Sequence, residues 1–153
     1  MTTTQTHVAV SGLHHLGVPV RSLEDTLAWY KDVLGLQPAF VQQAGEGRDL
    51  DAHVQLEEAK MRFAFIELGN TILEFQEYEN PLGADHDRRN CDVGAIHICV
   101  TVEDIAAAYE VLVEKGVEIN AAPTYLPDGN LAGCWFCYFR DLNGIQLELF
   151  QTP

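Results

Sequence analysis

Two histidines and two glutamates, His15, Glu74, His97 and Glu148, are the side chains in this 153-residue chain whose types and spacing could do chemistry together. Imidazole nitrogens and carboxylate oxygens bind first-row divalent metals. A set of two of each, with one or two positions left open, suits Zn, Ni, Co, Mn or Fe without choosing among them. Two carboxylates would offset the 2+ charge, and exclusion of water would raise the basicity of one of them. Taken singly, each residue has an ordinary reading. A histidine in a strand is commonly a satisfied core or surface group. A glutamate among apolar neighbours, as in Ile-Leu-Glu74-Phe and Gln-Leu-Glu148-Leu, commonly stands on the wet face; facing inward without a partner it would be costly. The four are set apart because they recur at matching places in a chain that repeats itself.

The repeat also supplies the elements that must position them. Leu13 to Val20 reads as a strand, followed by a helix from Arg21 to Leu34 with Ser22 as N-cap, acids in the first turn, and Leu23, Leu27, Tyr30 and Leu34 on one stripe. Gly35 ends it. Ala95 to Val102 is a second such strand, and Asp104 to Lys115 a second helix, stopped by Gly116. Sliding the first unit along until His15 lies on His97 also lays Val18 on Val100, Val20 on Val102 and Leu23 on Ile105. Further on, Met61 to Leu68, a Gly69-Asn70 turn and Thr71 to Gln76 form a hairpin pattern. Cys134 to Arg140, an Asp141-Leu-Asn-Gly144 turn and Ile145 to Phe150 repeat it, laying Glu74 on Glu148. Weaker strands are expected at Phe40 to Gln43 and Val117 to Asn120. Each unit is therefore strand, helix, and three strands, an α+β arrangement. A sheet so open cannot bury its face alone, so two units should share one core. The expected organisation is a flexible tail over 1–11, a first βαβββ module over 12–78, a linker or lid over 79–92, and a second module over 93–151.

The remaining histidines are weighed by position. Strand alternation groups His15 with Leu13 and Gly17 and puts its neighbour His14 with Leu16, Val18 and Val20; the alignment of His97 with His15 selects His15. His7 lies in the tail. His53, in an irregular stretch before the third strand, and His86, in the linker, remain candidates for a lid over a substrate. Arg88-Arg89, the one adjacent pair of cations, could clamp an anion, with solvated linker charge as the alternative. Of the four cysteines, Cys134 and Cys137 have the spacing of half a zinc ribbon but no second pair to complete it. All four are expected to be buried, reduced thiols.

Composition limits the partners. Nine basic against 23 acidic residues give a net charge of −14, with 47% hydrophobic residues. Nucleic acid and anionic membrane are excluded as partners, because nothing could neutralise a row of phosphates. No apolar run approaches a spanning helix, and the first residues lack the pattern of a signal peptide. A cytoplasmic protein is the expectation.

With these motifs in place, the chain resembles the vicinal oxygen chelate superfamily of glyoxalase I, methylmalonyl-CoA epimerase, extradiol dioxygenases and resistance proteins. The resemblance rests on His15-Leu-Gly-Val-Pro-Val and the following Leu-Ala-Trp-Tyr-Lys-Asp-Val-Leu-Gly-Leu, on Thr-Ile-Leu-Glu74-Phe, on Ala-Ile-His97-Ile-Cys-Val, and on Arg-Asp-Leu-Asn-Gly-Ile-Gln-Leu-Glu148-Leu. It implies paired βαβββ modules forming a curved, half-barrel sheet around one divalent metal held by His15, Glu74, His97 and Glu148, usually within a homodimer. It further implies a small-molecule substrate whose proton α to a metal-bound carbonyl is taken by Glu148, with Glu74 as second ligand or opposite-face acid/base. A metal-dependent isomerase or epimerase is expected, acting on a cyclitol or sugar-like ketone or in the manner of methylmalonyl-CoA epimerase. The alternatives are a glyoxalase I-like lyase, an extradiol-type dioxygenase using His15, His97 and Glu148, and a metal-free binding protein. Pro19 and Tyr78 stand where the glyoxalase I pattern has an Arg and an Asn for glutathione, and the shortage of cations disfavours anionic carriers.

Overall fold

The computed structural model describes residues 7–44, 48–85 and 88–153. Its first half runs β1 (Leu16–Val20), α1 (Leu23–Leu34), β2 (Pro38–Gln43), α2 (Arg48–Val54), β3 (Lys60–Leu68) and β4 (Thr71–Asn80). Its second runs β5 (His97–Thr101), α3 (Ile105–Glu114), β6 (Thr124–Tyr125), a 3₁₀ turn at Gly129–Leu131, β7 (Trp135–Arg140) and β8 (Gln146–Gln151). The strands form two open four-stranded sheets, ordered β1-β4-β3-β2 and β5-β8-β7-β6, so the fold is α+β with two matching halves. In each sheet the first strand lies parallel beside the last, β1 against β4 and β5 against β8. That pairing needs a crossover, and the helix supplies it.

The helices begin and end where their cap residues dictate. The Ser22 hydroxyl accepts from the Asp25 amide at 3.2 Å, and Gly35 closes α1 at φ 70°, a left-handed conformation that costs glycine nothing. The Asp104 carboxylate accepts from the Ala107 amide at 3.0 Å to open α3. A second cap reaches each helix from the last strand of its own half. Glu77 accepts from the Leu23 amide at 2.6 Å, and Gln151 from the Ile105 amide at 2.7 Å. Arg62 of β3 then ties Glu77 to Glu24 of α1, fixing the helix on its sheet.

Each sheet turns one face to the core. Ala64, Ile66, Leu73 and Phe75 of the first sheet, and Cys137, Phe139, Leu147 and Leu149 of the second, join one buried cluster with Leu23, Tyr30, Ile105 and Leu112. The halves also meet through polar groups. The β7–β8 turn docks on α1, where the Tyr30 hydroxyl donates to Asp141 at 3.3 Å and the Asn143 amide to the Thr26 hydroxyl at 3.0 Å. Asp141 also accepts from the backbone amides of Asn143 (2.8 Å) and Ile145 (2.9 Å). Burial pushes its carboxyl up, and these donors partly offset the shift. Asp141→Ala leaves these donors unpaired in a buried place and should lower unfolding stability by about 3 kcal/mol in a denaturant titration. Asp141→Asn, which keeps the accepting oxygen, should lose less than half of that. Equal losses would show that the charge, not the accepted hydrogen bonds, holds the turn.

Several expectations are corrected. The strand expected at Val117 to Asn120 is reduced to a bridge between Ile119 and Phe139, and the fourth strand of the second sheet is β6. Between those two contacts the segment advances from 119 to 124 while β7 goes only from 139 to 136, so it bulges outward over Ala121, Ala122 and Pro123. It rejoins where the Tyr125 and Trp135 rings lie 5.1 Å apart. The stretch expected to be irregular before β3 contains α2, closed by Asp51 accepting from the Glu58 and Ala59 amides. β4 continues to Asn80, two residues into the segment expected as linker. The cysteines divide: Cys134 and Cys137 are buried, but Cys91 and Cys99 are exposed, Cys99 because it lies on the face of β5 away from the core. No helix among the described residues is long and apolar enough to cross a membrane.

Candidate metal and catalytic site

The faces turned away from the core carry the chemistry. On the first sheet, Gly17 of β1 and Phe65 of β3 flank Glu74 of β4 in register. His15, one residue before β1, brings its Nε2 to 3.3 Å from Glu74 Oε2. Its other ring nitrogen lies 2.8 Å from Nδ1 of His14, leaving Nε2 for the carboxylate. On the second sheet, His97 opens β5 and places Nε2 at 3.0 Å from Glu148 Oε2 of β8. The carboxylates are the sheltered members, with side chains 11% and 10% exposed, while the imidazoles are 39% and 47% exposed. No Lys or Arg among the described residues forms an ion pair with either glutamate.

The donor chemistry fits a metal ion. Two ligand atoms held at about 2.1 Å by one ion stand about 3.0–3.4 Å apart, the separation found in both pairs. The pairs remain distinct within the chain. Among the described residues, no three His, Cys, Asp or Glu side chains lie close enough together to hold one ion. The structure thus joins His15 to Glu74 and His97 to Glu148, and leaves each pair open to solvent on its own sheet.

The surroundings of the two pairs differ. Beside Glu74 stands an apolar wall: the ring of Phe65 lies 5.9 Å from that of His15, 4.9 Å from Phe40 and 5.5 Å from Phe63. Gln76, two residues along β4, donates its amide to Glu74 at 2.8 Å. A Cβ at Gly17 would meet the Gln76 nitrogen at 3.4 Å and Glu74 at 3.6 Å, ordinary van der Waals contacts, so Gly17 gives this corner room without being demanded by it. Beside Glu148 stand protic groups instead: Cys99 of β5 and Tyr138 of β7 occupy the flanking positions. Burial, then the Glu148 charge and a hydrogen bond to it, push the Cys99 thiol up to about 11 and raise the Tyr138 hydroxyl as well. Tyr78, further along β4, is raised by burial and by Glu74.

The other candidates lie elsewhere. Arg88 donates to the Val93 carbonyl at 3.3 Å and Arg89 pairs with Asp92 at 2.7 Å, so both guanidinium groups are engaged within their own segment. His53 is exposed in the last turn of α2. His86 lies outside the described residues. Residues 82–85 line a cleft with Arg21, Tyr78 and Asn143 at the junction of the halves, where Arg21 pairs with Asp85. Reading the repeat alone passed over Gln76, Phe65, Cys99 and Tyr138. Alternation along the chain already groups Gln76 with Glu74 and Cys99 with His97, whereas Phe65 and Tyr138 are brought beside the glutamates by the register of β3 and β7.

Comparison with known proteins agrees with this architecture. A family model described as the Glyoxalase/Bleomycin resistance protein/Dioxygenase superfamily matches residues 12–149. A 2-epi-5-epi-valiolone epimerase from an Actinomyces species is 34% identical over 148 residues, covering 92% of this chain and 79% of that protein. The mitochondrial methylmalonyl-CoA epimerase of Mus musculus is 33% identical over 150 residues, covering 92% and 72%. The crystal structure of a glyoxalase family protein from Bacillus cereus superposes with a TM-score of 0.75 at 20% identity, over 97% of this chain and 99% of that one.

Proposed function

Because the chain belongs to the Glyoxalase/Bleomycin resistance protein/Dioxygenase superfamily, we propose that it epimerises a small ketone by removing and returning the proton α to the carbonyl, with a divalent metal at His15, Glu74, His97 and Glu148. It is an enzyme of the epimerase/isomerase kind, as its epimerase relatives at about a third identity over nine-tenths of the chain support. The observation that carries the residue assignment is the pair of equivalent His–Glu contacts, at 3.3 and 3.0 Å, on the open faces of two repeated sheets.

The metal, when bound, polarises the carbonyl and stabilises the charge that develops as the α carbon loses its proton. Glu148 takes that proton, and the electron pair of the C–H bond moves toward the carbonyl oxygen. Return of a proton to the opposite face of the carbon inverts it. In this reading Glu74 supplies that proton, starting protonated while Glu148 starts ionised. His15 and His97 hold their glutamates in place.

Four ligands on two separated pairs require two copies of the chain, with the His15–Glu74 pair of one protomer meeting the His97–Glu148 pair of its partner. A homodimer is therefore part of the reading. The reading also includes a cytoplasmic location, in keeping with four free thiols.

The walls and the shortage of cations support one substrate class. Phe40, Phe63 and Phe65 offer an apolar surface to a carbon skeleton, and among the described residues no Lys or Arg is ion-paired with the ligand glutamates. A cyclitol or sugar-like ketone fits these walls better than a methylmalonyl-CoA-type thioester, which is the second reading, and better than a glutathione hemithioacetal. Metal-loaded protein offered a cyclitol ketone, methylmalonyl-CoA, the methylglyoxal–glutathione hemithioacetal and catechol should epimerise the ketone with a kcat/KM at least about tenfold above that for any other. Turnover of the hemithioacetal or catechol alone would overturn the assignment.

A further inference from the structure

The two halves match at the ligands and diverge at their neighbours. In the register row through Glu74 the flanking residues are Gly17 and Phe65; in the row through Glu148 they are Cys99 and Tyr138. Neither Gly17 nor Phe65 can donate a hydrogen bond from its side chain, whereas Cys99 and Tyr138 both can. Along the strand the difference is reversed. Gln76 holds Glu74 through its amide, while Phe150, its equivalent two residues after Glu148, has nothing to donate. Glu74 thus takes a donor from its own strand, while the groups able to donate to Glu148 stand opposite it on the strands to either side. The Tyr138 ring also stands edge-on to His97, with centroids 5.3 Å apart and planes at 84°, so Tyr138 lies against the histidine and opposite the glutamate in register.

We propose that Tyr138 is a positioning residue for Glu148, its hydroxyl fixing the carboxylate so that one oxygen faces the ion and the other faces the substrate carbon. The inference rests on the proton-transfer function proposed above. Its physical basis is that a glutamate free to rotate can bind an ion through both oxygens, which leaves no lone pair aimed at substrate. A donor on one oxygen prevents that at the moment of proton transfer. Groups of this kind beyond the ligands themselves change affinity or activity by about 10–100-fold when removed. Glu74 takes its donor from Gln76 on its own strand, with Phe65 opposite, so the two carboxylates are approached from different directions although the repeat makes them equivalent.

Tyr138→Phe removes the hydroxyl and keeps the ring against His97. With the dimeric protein loaded with Co(II) alone, the variant should bind the same amount of metal as the unmodified protein and show an altered visible absorption envelope, because carboxylate coordination changes. Under saturating metal its kcat should fall about 10–100-fold with KM within about twofold. A superimposable Co(II) spectrum together with kcat within about twofold would overturn the proposal, and so would full recovery of kcat by excess metal. If the unmodified protein exchanges no substrate proton with solvent, the proposed reaction fails, and the Co(II) spectrum still decides the tyrosine.

Discussion

Glu148→Gln should lower turnover by about 10²–10⁴-fold, the contribution of a positioned general base, while the metal content of the protein changes little. The amide keeps the size of the side chain and one oxygen that can ligate, but has no lone pair basic enough to take a proton from carbon. The surroundings are arranged for the carboxylate: Glu148 is sheltered, lies 3.0 Å from His97, and is flanked by Cys99 and Tyr138. Glutamine presents an NH2 group where these donors expect an acceptor. Metal analysis beside the rate is the necessary control. A variant that retains metal and full activity would remove Glu148 from the proton-transfer step. A variant that loses its metal in step with its activity would make Glu148 a ligand only.

His15→Ala and His97→Ala should each lose nearly all activity, and mixing the two after dissociation and reassociation should restore about a quarter of the unmodified level. The fraction follows from symmetry. If each site takes His15–Glu74 from one protomer and His97–Glu148 from its partner, a mixed dimer has one site with both alanines and one with neither. Random pairing makes about half the dimers mixed, and half of their sites intact. The prediction starts from an observation within a single chain, where no three of these groups gather although each pair is formed. No recovery on mixing, with reassociation verified, would place all four ligands within one chain and contradict the shared site.

Much of the fold is legible in the chain because its repeat is carried by groups with local physical tasks. Ser22 and Asp104 cap helices from their own hydroxyl or carboxylate, and Gly35 and Gly116 adopt the positive φ that ends them. Such signals act over three or four residues. The hairpins are equally local, with Gly69 and Gly144 at their turns. What escaped depends on long-range partners. The Glu77 and Gln151 caps come from distant strands. The segment after α3 pairs briefly at Ile119, bulges, and pairs again at Thr124, a path set by β7 rather than by its own pattern. The seven-residue α2 is held by Asp51 closing the following loop, and is too short to show a periodic stripe.

The candidate site was legible in part for the same reason. Alignment of the halves singles out His15, Glu74, His97 and Glu148, and each histidine does lie against its glutamate. Alternation within Cys-Trp-Phe-Cys137-Tyr-Phe separates Tyr138 from Cys137 and Phe139 but does not say which face is the core. Only when Cys137 and Phe139 are seen buried does Tyr138 fall on the side of Glu148. Cys99 is exposed because alternation along β5 groups it with His97 and Thr101, opposite Ile98 and Val100, so its thiol stands on the open face. The meeting of two half-sites cannot be read from any local pattern, because it concerns surfaces rather than sequence neighbours.

The measurement that bears most directly on the central claim is solvent-deuterium incorporation into a cyclitol ketone by the metal-loaded protein, followed by NMR at the carbon next to the carbonyl. Deuterium should enter at that carbon at a rate no slower than epimerisation, stop when the metal is removed by a chelator, and resume when a divalent ion is returned. Epimerisation without deuterium from solvent, or exchange that persists at full rate in the chelated protein, would contradict a metal-assisted proton transfer at the paired histidines and glutamates.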